Sequence, residues 1–346
     1  MTEQKTRLAL IGAGAIGRAH IEAIRGFDGC VLAGIADPAP AAAELARGLG
    51  VPSNQDVGAL LEAIRPDGAI VATPNAQHLP AVLECARRGV HVLVEKPIAE
   101  SIAAAREMTS AAQKGGIRLL VGHHRRHNPI LEKARENVQG GGIGRVTAVV
   151  ALFLLQKPDN YFDIAWHREK GAGPVLINLI HDIDDLRFIC GEIFAVQAWT
   201  SNAVRGHPVE DTAAVLLRFA NGALGTITAS DAVPSPWSWE LTSGENPMYP
   251  RQDGNCYFIC GTEGSLAVPR LDAFRYGATR GWTAPLLHER IGVESAVSFA
   301  RQIRHFCRVV AGDEAPRVDG ADATRTLAVV EAVHEAARRG GIVEIE

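Results

Sequence analysis

The apolar residues in the first third of the chain form short unbroken runs, separated by segments in which Ala, Leu and Arg recur at helical spacing. The runs predict strands at Arg7–Ile11, Val31–Ala36, Gly68–Ala72, Val90–Val94 and Ile117–Val121. The segments between them predict helices at Ile16–Arg25, Pro40–Gly48, Asp56–Ile64, Leu79–Arg88 and Ile102–Lys114. Strands without polar alternation are typical of parallel sheets that helices cover on both faces. The first third is therefore predicted to be an α/β domain with a doubly wound parallel sheet.

The pattern changes after Gly122, where most apolar segments are strand-like and helices are fewer. Strands are predicted at Thr147–Leu155, Ala195–Val204, Ala213–Phe219, Ala223–Ala229 and Tyr257–Cys260, and helices at about Pro174–Cys190, Ser295–Val310 and Ala321–Arg339. Asn221-Gly222 predicts a hairpin with a type I′ turn, which needs positive φ at both central residues. We predict two domains, a nucleotide-binding domain over residues 1–122 and an α+β domain with a mainly antiparallel sheet over residues 123–346.

Composition narrows the class of protein. A chain of 346 residues is long enough for two domains of roughly 100–200 residues each, and 47% hydrophobic with 21% charged residues is typical of globular proteins. The net charge of −4 supplies no basic field, so nucleic-acid binding is disfavoured. No apolar run approaches the ~18 residues of a membrane span. The six cysteines form no C-x-x-C pair, so a reducing cytoplasm is the expected location and no metal site is expected.

A glycine-rich loop follows the first predicted strand and opens a helix. It comprises Gly12, Ala13, Gly14, Ala15, Ile16 and Gly17. In this pattern the glycines allow a tight turn, close approach of the backbone to a pyrophosphate, and close packing of helix on strand. The helix N-terminus adds unpaired N–H groups that attract phosphate. The motif alone is weak evidence, but its position after a strand predicts dinucleotide binding.

Asp37 lies at the end of the second predicted strand, about 20 residues beyond the glycine loop, where an acidic side chain accepts hydrogen bonds from the adenosine ribose. A carboxylate would repel a 2′-phosphate, and Pro38-Ala39-Pro40 offers no arginine to attract one. This favours NAD over NADP, although an aspartate here could also simply begin a turn before proline.

Glu95-Lys96-Pro97 follows the fourth strand, at the sheet edge where ligands of such folds bind. A lysine beside an apolar strand end and a nicotinamide would be partly desolvated, which suits it to hydrogen-bond a hydroxyl group. On spacing alone, a surface Glu–Lys pair before a proline turn is an equally good interpretation.

Taken together, these motifs resemble the glucose–fructose oxidoreductase/inositol dehydrogenase (GFO/IDH/MocA) family. The resemblance rests on the glycine loop, Asp37, Ala72-Thr73-Pro74-Asn75 with His78, and Glu95-Lys96-Pro97, and extends through nearly the whole chain. It implies a Rossmann domain, a C-terminal open-faced sheet that forms a homodimer or homotetramer, and hydride transfer between NAD(P) and a carbinol carbon. It also implies that Thr73, Pro74, Asn75, His78 and Glu95 lie at the cofactor.

The resemblance further implies that Lys96 is catalytic and that a second element is an Asp with a His four residues later. This chain has Asn178 and His181 instead, three residues apart and still on one helical face. His181 is the candidate acid/base because imidazole titrates near neutral pH, and Asn178 is a candidate for positioning substrate. A core histidine is the competing interpretation, and whether Asp182 supplies the missing carboxylate or faces solvent is open.

Three further regions are candidates for contacts. Of the segment Gly122–Pro129, the resemblance favours Arg126 as a substrate contact and leaves His124 open, whereas its three histidines give little support for a metal site. Arg168, which follows Trp166, is predicted at the cofactor. The long segment Val233–Asn255 is either functional or an interface, and its Trp237, Trp239 and Tyr249 could stack on a sugar.

The predicted activity is that of an NAD-dependent oxidoreductase acting on a secondary alcohol or ketone of a sugar, polyol, cyclitol or sugar acid. In this hypothesis Lys96 polarises the reacting oxygen, His181 exchanges the hydroxyl proton, and Lys96, His124, Arg126, Asn178 and His181 contact substrate. Two alternatives stay open. One is a glycosidase or lyase that uses NAD without net redox change, and the other is a dehydrogenase of a non-sugar cyclic alcohol such as a dihydrodiol.

Overall fold

The computed structural model describes residues 5–345, and the chain divides into two compact units. The first takes the chain up to His127 together with Val297–Leu327, and the second takes Asn128–Ala296 together with the chain from Ala328 onward. The sequence predicts one boundary after residue 122 and a continuous second domain. The structure differs because a late segment returns to complete the first unit. The functional roles assigned to the two domains stay predictions.

The first unit contains a six-stranded sheet in which every neighbouring pair is parallel. Its elements in chain order are β1 (Thr6–Ile11), α1 (Ala15–Arg25), β2 (Cys30–Ala36), α2 (Pro40–Leu49), β3 (Ser53–Asn54), α3 (Val57–Ile64), β4 (Gly68–Val71), α4 (His78–Arg87), β5 (His91–Val94), α5 (Ile102–Lys114) and β6 (Leu119–Val121). The strand order β3-β2-β1-β4-β5-β6 is that of a Rossmann fold. The predicted fold class of this domain is confirmed, because buried strands without alternation do form the sheet.

The second unit is built on a nine-stranded, mainly antiparallel sheet, as predicted. Its first elements are α6 (Pro129–Gln139), β7 (Val146–Leu154), α7 (Pro174–Ile177), α8 (Leu179–Cys190), β8 (Ile193–Ser201), β9 (Thr212–Phe219), β10 (Leu224–Ser230), α9 (Trp239–Thr242), β11 (Tyr257–Gly261), β12 (Gly264–Val268), β13 (Asp272–Tyr276) and β14 (Leu286–Arg290). The helices α10 (Ser298–Ala311) and α11 (Gly320–Arg339) and the strand β15 (Val343–Glu344) close the chain. The order is β14-β13-β12-β11-β7-β10-β9-β8-β15, and the pair β7–β10 is parallel.

The return of residues 297–327 to the first unit has a packing reason. Ile303 and Phe306 of α10 are fully buried in the same apolar cluster as Leu8, Leu10 and Ile70 of the sheet. Gly68 begins β4 directly beneath this helix, and a Cβ there would lie 3.0 Å from the Phe306 ring. In addition, the backbone N–H of Val121 donates to the carbonyl of Val318. The segment therefore covers apolar surface that the first 127 residues alone would leave exposed.

The sheet of the second unit has one buried and one open face. Val149, Leu217 and Val196 are buried on the inner face together with α8, all of whose residues are buried. On the other side, neighbouring strands present apolar side chains that are 38–59% exposed: Val150, Leu216, Leu224 and Phe258. We call these four residues and their strand neighbours the outer sheet face. Alternation along each strand separates the two faces.

Two predicted elements differ in detail. The helix predicted over Pro174–Cys190 is two helices, α7 and α8, separated at Asn178. The hairpin at Asn221-Gly222 joins β9 and β10 as predicted, but the turn is not type I′. Gly222 has φ +88°, whereas Arg65 and Leu271 are the only described non-glycine residues with positive φ. The N–H of Gly222 donates to the carbonyl of Phe219, which gives a type I turn followed by a left-handed glycine.

Candidate active site

The glycine loop lies between the end of β1 and the start of α1, where space is very tight on one side and open on the other. A Cβ on Gly12, which has φ +94°, would lie 2.6 Å from the carbonyl oxygen of Ala72, and one on Gly17 would overlap the carbonyl of Gly12. A Cβ on Gly14 would meet nothing within 4 Å. No side chain caps the N-terminus of α1. This arrangement of open space and uncapped N–H groups fits a dinucleotide pyrophosphate.

Asp37 holds the glycine loop to the end of β2. Its Oδ2 accepts the N–H of Ala13 at 2.7 Å and its Oδ1 accepts the N–H of Ala39 at 2.8 Å. The side chain is partly exposed. Each carboxylate oxygen keeps a second lone pair for a further donor, as binding of ribose hydroxyls requires. The two hydrogen bonds from backbone N–H groups fix the direction of the carboxylate and leave lone pairs available for a ligand.

His78 joins two loops at the carboxyl edge of the sheet. Its fully buried ring faces the carbonyl of Thr73 through Nε2 at 3.0 Å and the carbonyl of Pro97 through Nδ1 at 3.0 Å. Burial lowers the pKa of His78, and the bonds to backbone carbonyls only partly offset this. Both ring nitrogens thus face backbone carbonyls, and the ring lies between the Thr73 loop and the loop after Lys96. Pro74 and Asn75 lie in the same Thr73 loop and are partly or fully exposed.

Glu95 is a buried carboxylate at the end of β5, beside the partly exposed Lys96. Its Oε1 lies 2.7 Å from Nε2 of His20 on α1, and its Oε2 accepts the backbone N–H of Lys96 at 3.2 Å. Burial raises the pKa of this carboxyl, whereas the hydrogen bond with His20 and the neighbouring charges on His124 and Lys96 lower it. The net pKa of Glu95 lies below its ordinary value. The Lys96–Pro97 peptide bond is cis.

The segment after β6 is mostly buried. The His124 ring is partly exposed and stacks on Phe299 at 4.7 Å. Arg126, in contrast, is 5% exposed, and its guanidinium forms an ion pair with Asp322 at 2.8 Å. His127 is buried as well, and desolvation together with nearby cations lowers its pKa well below the ordinary value. Of the two residues predicted to contact substrate here, His124 is the accessible one.

In the second unit, Asn178 and His181 lie on either side of the break between α7 and α8. The N–H of His181 donates to the carbonyl of Asn178, and the Asn178 Oδ1 is buried with no hydrogen bond to any described residue. Asp182 does not face solvent, since it is 1% exposed and hydrogen-bonded to the Tyr257 hydroxyl. The same hydroxyl lies 3.0 Å from Asp185.

Two other predictions concern loops of the second unit. Arg168 is exposed and lines a cavity of about 410 Å³ with Phe162 and Arg205. Trp239 is 1% exposed, and its Nε1 donates to Glu245 at 2.7 Å. The prediction that Trp239 could stack on a sugar is therefore wrong, because its ring belongs to the core of the unit. Trp237 is exposed and Tyr249 is partly exposed.

Within the first unit, the structure brings together the glycine loop, Asp37, the Thr73 loop, Glu95 and Lys96, since β2, β1, β4 and β5 are sheet neighbours. Within the second unit it brings Asn178 and His181 together. Sequence reasoning missed His20 and Phe299. The available signal for His20 was its place on the buried stripe of α1 with Gly17, Ile21 and Ile24, where a polar side chain needs a partner.

Two searches of the described residues bear on other site types. Over residues 5–345, no three or more His, Cys, Asp or Glu side chains are grouped as metal ligands. Every helix in that range is too short or too polar to cross a lipid bilayer.

Comparison with known proteins identifies both parts of the chain. Residues 6–123 match the oxidoreductase family with an NAD-binding Rossmann fold, and residues 131–267 match the GFO/IDH/MocA C-terminal domain. The chain is 28% identical to the rhizopine catabolism protein MocA of Rhizobium meliloti over 80% of this chain and 89% of that protein. It is 31% identical to myo-inositol 2-dehydrogenase of Thermotoga maritima over 65% of this chain and 68% of that enzyme.

A solved structure shows the same fold at full length. The WlbA dehydrogenase from Bordetella pertussis, in complex with NADH and UDP-GlcNAcA, is 25% identical, with a TM-score of 0.79 over 99% of both chains. The resemblance inferred from the motifs is thereby confirmed, as are the NAD-binding domain and the enzyme class. The chain belongs to the GFO/IDH/MocA family of NAD-binding oxidoreductases.

Proposed function

We propose that this oxidoreductase transfers a hydride between NAD(H) and a secondary alcohol or ketone of a sugar, polyol, cyclitol or sugar-acid substrate. The observation that carries the proposal is the position of Lys96, two residues beyond the end of β5, on the sheet edge that also bears the glycine loop and the Thr73 loop. Relatives named for myo-inositol and rhizopine, and a structural neighbour holding a sugar-acid nucleotide, support a hydroxyl-rich substrate.

NAD, when bound, would accept or supply the hydride, and the residues of this chain handle the oxygen and its proton. The Lys96 Nζ donates a hydrogen bond to the reacting oxygen, which favours the charge that develops there as the O–H bond breaks. An imidazole nitrogen of His181 takes that proton in oxidation and returns it in reduction. The buried amide oxygen of Asn178 accepts a hydrogen bond from a substrate hydroxyl, which orients the ring. Asp37 and the glycine loop hold the dinucleotide.

Two predicted roles change in this proposal. His78 acts on the cofactor indirectly by holding the Thr73 loop, because both of its ring nitrogens already face backbone carbonyls. Arg126 is assigned a structural role through its ion pair with Asp322, and His124 is kept as the substrate contact from this segment. For Arg168, which lines the cavity described above, we keep the predicted role of a contact to the cofactor.

Replacement of the strand-end lysine tests the mechanism. Lys96→Met removes the hydrogen-bond donor and keeps much of the side-chain length, so turnover should fall about 10²–10⁴-fold. Binding of NAD, followed by fluorescence, should stay near the wild-type affinity. The matched control is Lys133→Met on α6, where the partly exposed lysine pairs with Glu136 on its own helix. Wild-type turnover in the Lys96 variant would overturn the assignment.

A substrate panel tests the reaction class. Sugars, polyols, cyclitols and sugar acids are offered with NAD, and NADH is followed at 340 nm. Formation of NADH with one of these compounds supports the proposal. Release of an aglycone from a glycoside without net NADH would instead show the NAD-assisted glycosidase or lyase reaction, and oxidation of dihydrodiols alone would show a non-sugar dehydrogenase.

We also propose a homo-oligomer formed through the outer sheet face, since apolar side chains on adjacent strands there are left open to solvent. A cytoplasmic location is proposed as well. It is supported by the six cysteines, which are all free thiols.

A further inference from the structure

A buried histidine on the glycine-loop helix is hydrogen-bonded to the residue that precedes the proposed catalytic lysine. His20 is 0% exposed and Glu95 is 6% exposed, and their Nε2 and Oε1 atoms are 2.7 Å apart. A hydrogen bond of this length to a carboxylate in a protein interior is strong and directional. It joins two elements that are 75 residues apart in sequence.

The Glu95 carboxylate has little freedom to move. Its second oxygen accepts the backbone N–H of Lys96 at 3.2 Å. A Cβ on Gly122, at the end of β6, would lie 2.9 Å from its carboxyl carbon, so a glycine is needed beneath it. The carboxylate therefore connects α1, the end of β5 and the end of β6, with the Lys96 backbone as one of its partners.

His20 supplies the donor in this arrangement. Its Nδ1 is buried and has no hydrogen-bond partner among the described residues, so the tautomer with the proton on Nε2 satisfies the carboxylate. Phe299 lies against the ring edge at 5.2 Å and restricts its rotation. Because α1 begins at Ala15, directly after Gly14, a rigid helix connects this bond to the glycine loop.

We propose that His20 is a positioning residue, which acts through Glu95 to fix the backbone at Lys96 relative to the glycine-loop helix. The inference rests on the proposed function only for the role of Lys96 in the reaction. In this proposal the position of Lys96 depends on α1, the helix whose N-terminus fits the pyrophosphate. His20 itself is too deeply buried to touch substrate.

The test uses three variants that differ in the donor they retain. Gln places its Nε2 amide close to the position of the imidazole Nε2, so His20→Gln keeps the bond to Glu95. Asn places its amide near the position of Nδ1 and falls short, and His20→Leu has no donor. All three are made in the full-length chain, and thermal unfolding and NAD binding by fluorescence establish that each one is folded.

The first readout is hydrogen–deuterium exchange of a peptide covering residues 94–100, measured without cofactor. We expect faster exchange in His20→Leu and His20→Asn, because the acceptor of the Lys96 N–H is no longer held, and near wild-type exchange in His20→Gln. A peptide covering residues 105–112 of α5 is the internal control. This measurement needs no substrate and is decisive even if the proposed reaction fails.

The second readout is steady-state turnover on whichever substrate the panel identifies. A displacement of the lysine by about 1 Å should lower kcat about 10²-fold in the Leu and Asn variants, with KM for NAD nearly unchanged and with rescue in the Gln variant. Adding His20→Leu to Glu95→Leu should cost little beyond Glu95→Leu alone, since leucine at position 95 already removes the acceptor of the His20 N–H. Wild-type exchange of the 94–100 peptide in His20→Leu would overturn the inference, as would wild-type turnover in that variant or equal impairment of the Leu and Gln variants.

Discussion

The carboxylate of Asp37 accepts one N–H from the glycine loop and one from the turn after β2, so its direction is set by the protein alone. A negative charge held there opposes a 2′-phosphate, and the neighbouring Ala39 has no charge to counter it. The predicted preference for NAD over NADP is thus assigned to two positions on one turn, Asp37 and Ala39, where it can be altered.

Replacing Asp37 by Ser and Ala39 by Arg should shift the ratio of kcat/KM for NAD and NADP towards NADP by at least about tenfold, equivalent to about 1.4 kcal/mol. Serine keeps an acceptor for the loop N–H, and arginine supplies a phosphate ligand. Steady-state kinetics with both cofactors measures the ratio. Asp56→Ser, which changes an exposed helix cap on α3, is the control and should leave it unchanged. An unaltered ratio in the double variant would show that Asp37 does not select the cofactor.

The role of a residue can be predicted from the sequence when the groups it interacts with lie close to it along the chain. The glycines and Asp37 follow from spacing within one βαβ unit, because the chain itself fixes their separation. His20 and Glu95 pair across 75 residues, and Arg126 pairs with Asp322 at the other end of the chain. Nothing local in the sequence distinguishes a paired Arg126 from one that contacts substrate.

At the scale of elements, periodicity predicted the buried elements well and the exposed ones poorly. The strand β14 is exposed at all five positions, so it has no alternation to detect. The helix α6 is not among the elements predicted from the sequence, although two signals for its start are present. The Asn128 side chain accepts the N–H of Ile130, and Pro129 occupies the first turn. The hairpin between β9 and β10 was found from Asn221-Gly222, but with the wrong turn, because a three-residue connection can also carry that dipeptide.

The corrected turn makes a stability prediction. Gly222→Ala puts a Cβ on a residue with φ +88° and should lower the free energy of unfolding by about 1–2 kcal/mol. Gly48→Ala is the matched control, because Gly48 lies in α2 and an added Cβ there would meet nothing within 4 Å. That control should be neutral or stabilising by up to about 1 kcal/mol. Urea unfolding of both variants measures the difference, and equal midpoints would contradict the turn geometry.

At the scale of the whole molecule, the outer sheet face presents exposed apolar side chains on neighbouring strands of the second unit. Val150, Thr226 and Leu216 are direct neighbours in register across three strands, and all three are exposed. The opposite face of the sheet packs against α8. A second copy of the chain is the occupant implied by the family resemblance.

Leu216→Glu should convert the proposed oligomer to a monomer. The substitution places a carboxylate in the middle of the outer sheet face of each copy, so the proposed interface would have to bury these charges. Light scattering coupled to size exclusion gives the mass, and NAD binding should persist. Gln113→Glu, at an exposed position of α5 in the first unit, is the control for an added surface charge. A monomeric wild-type protein, or a variant that keeps the mass of the oligomer, would refute the assembly through this face.

The return of residues 297–327 to the first unit has a consequence for synthesis on the ribosome. The chain makes the six strands of the Rossmann sheet first, but Ile303 and Phe306, which complete its core, emerge only after strands β7 to β14 of the second sheet have been translated. Until then, the surface around Leu10 and Ile70 lacks the helix that covers it. The nascent amino-terminal unit therefore keeps apolar surface uncovered until α10 has been made, although its six strands are translated first.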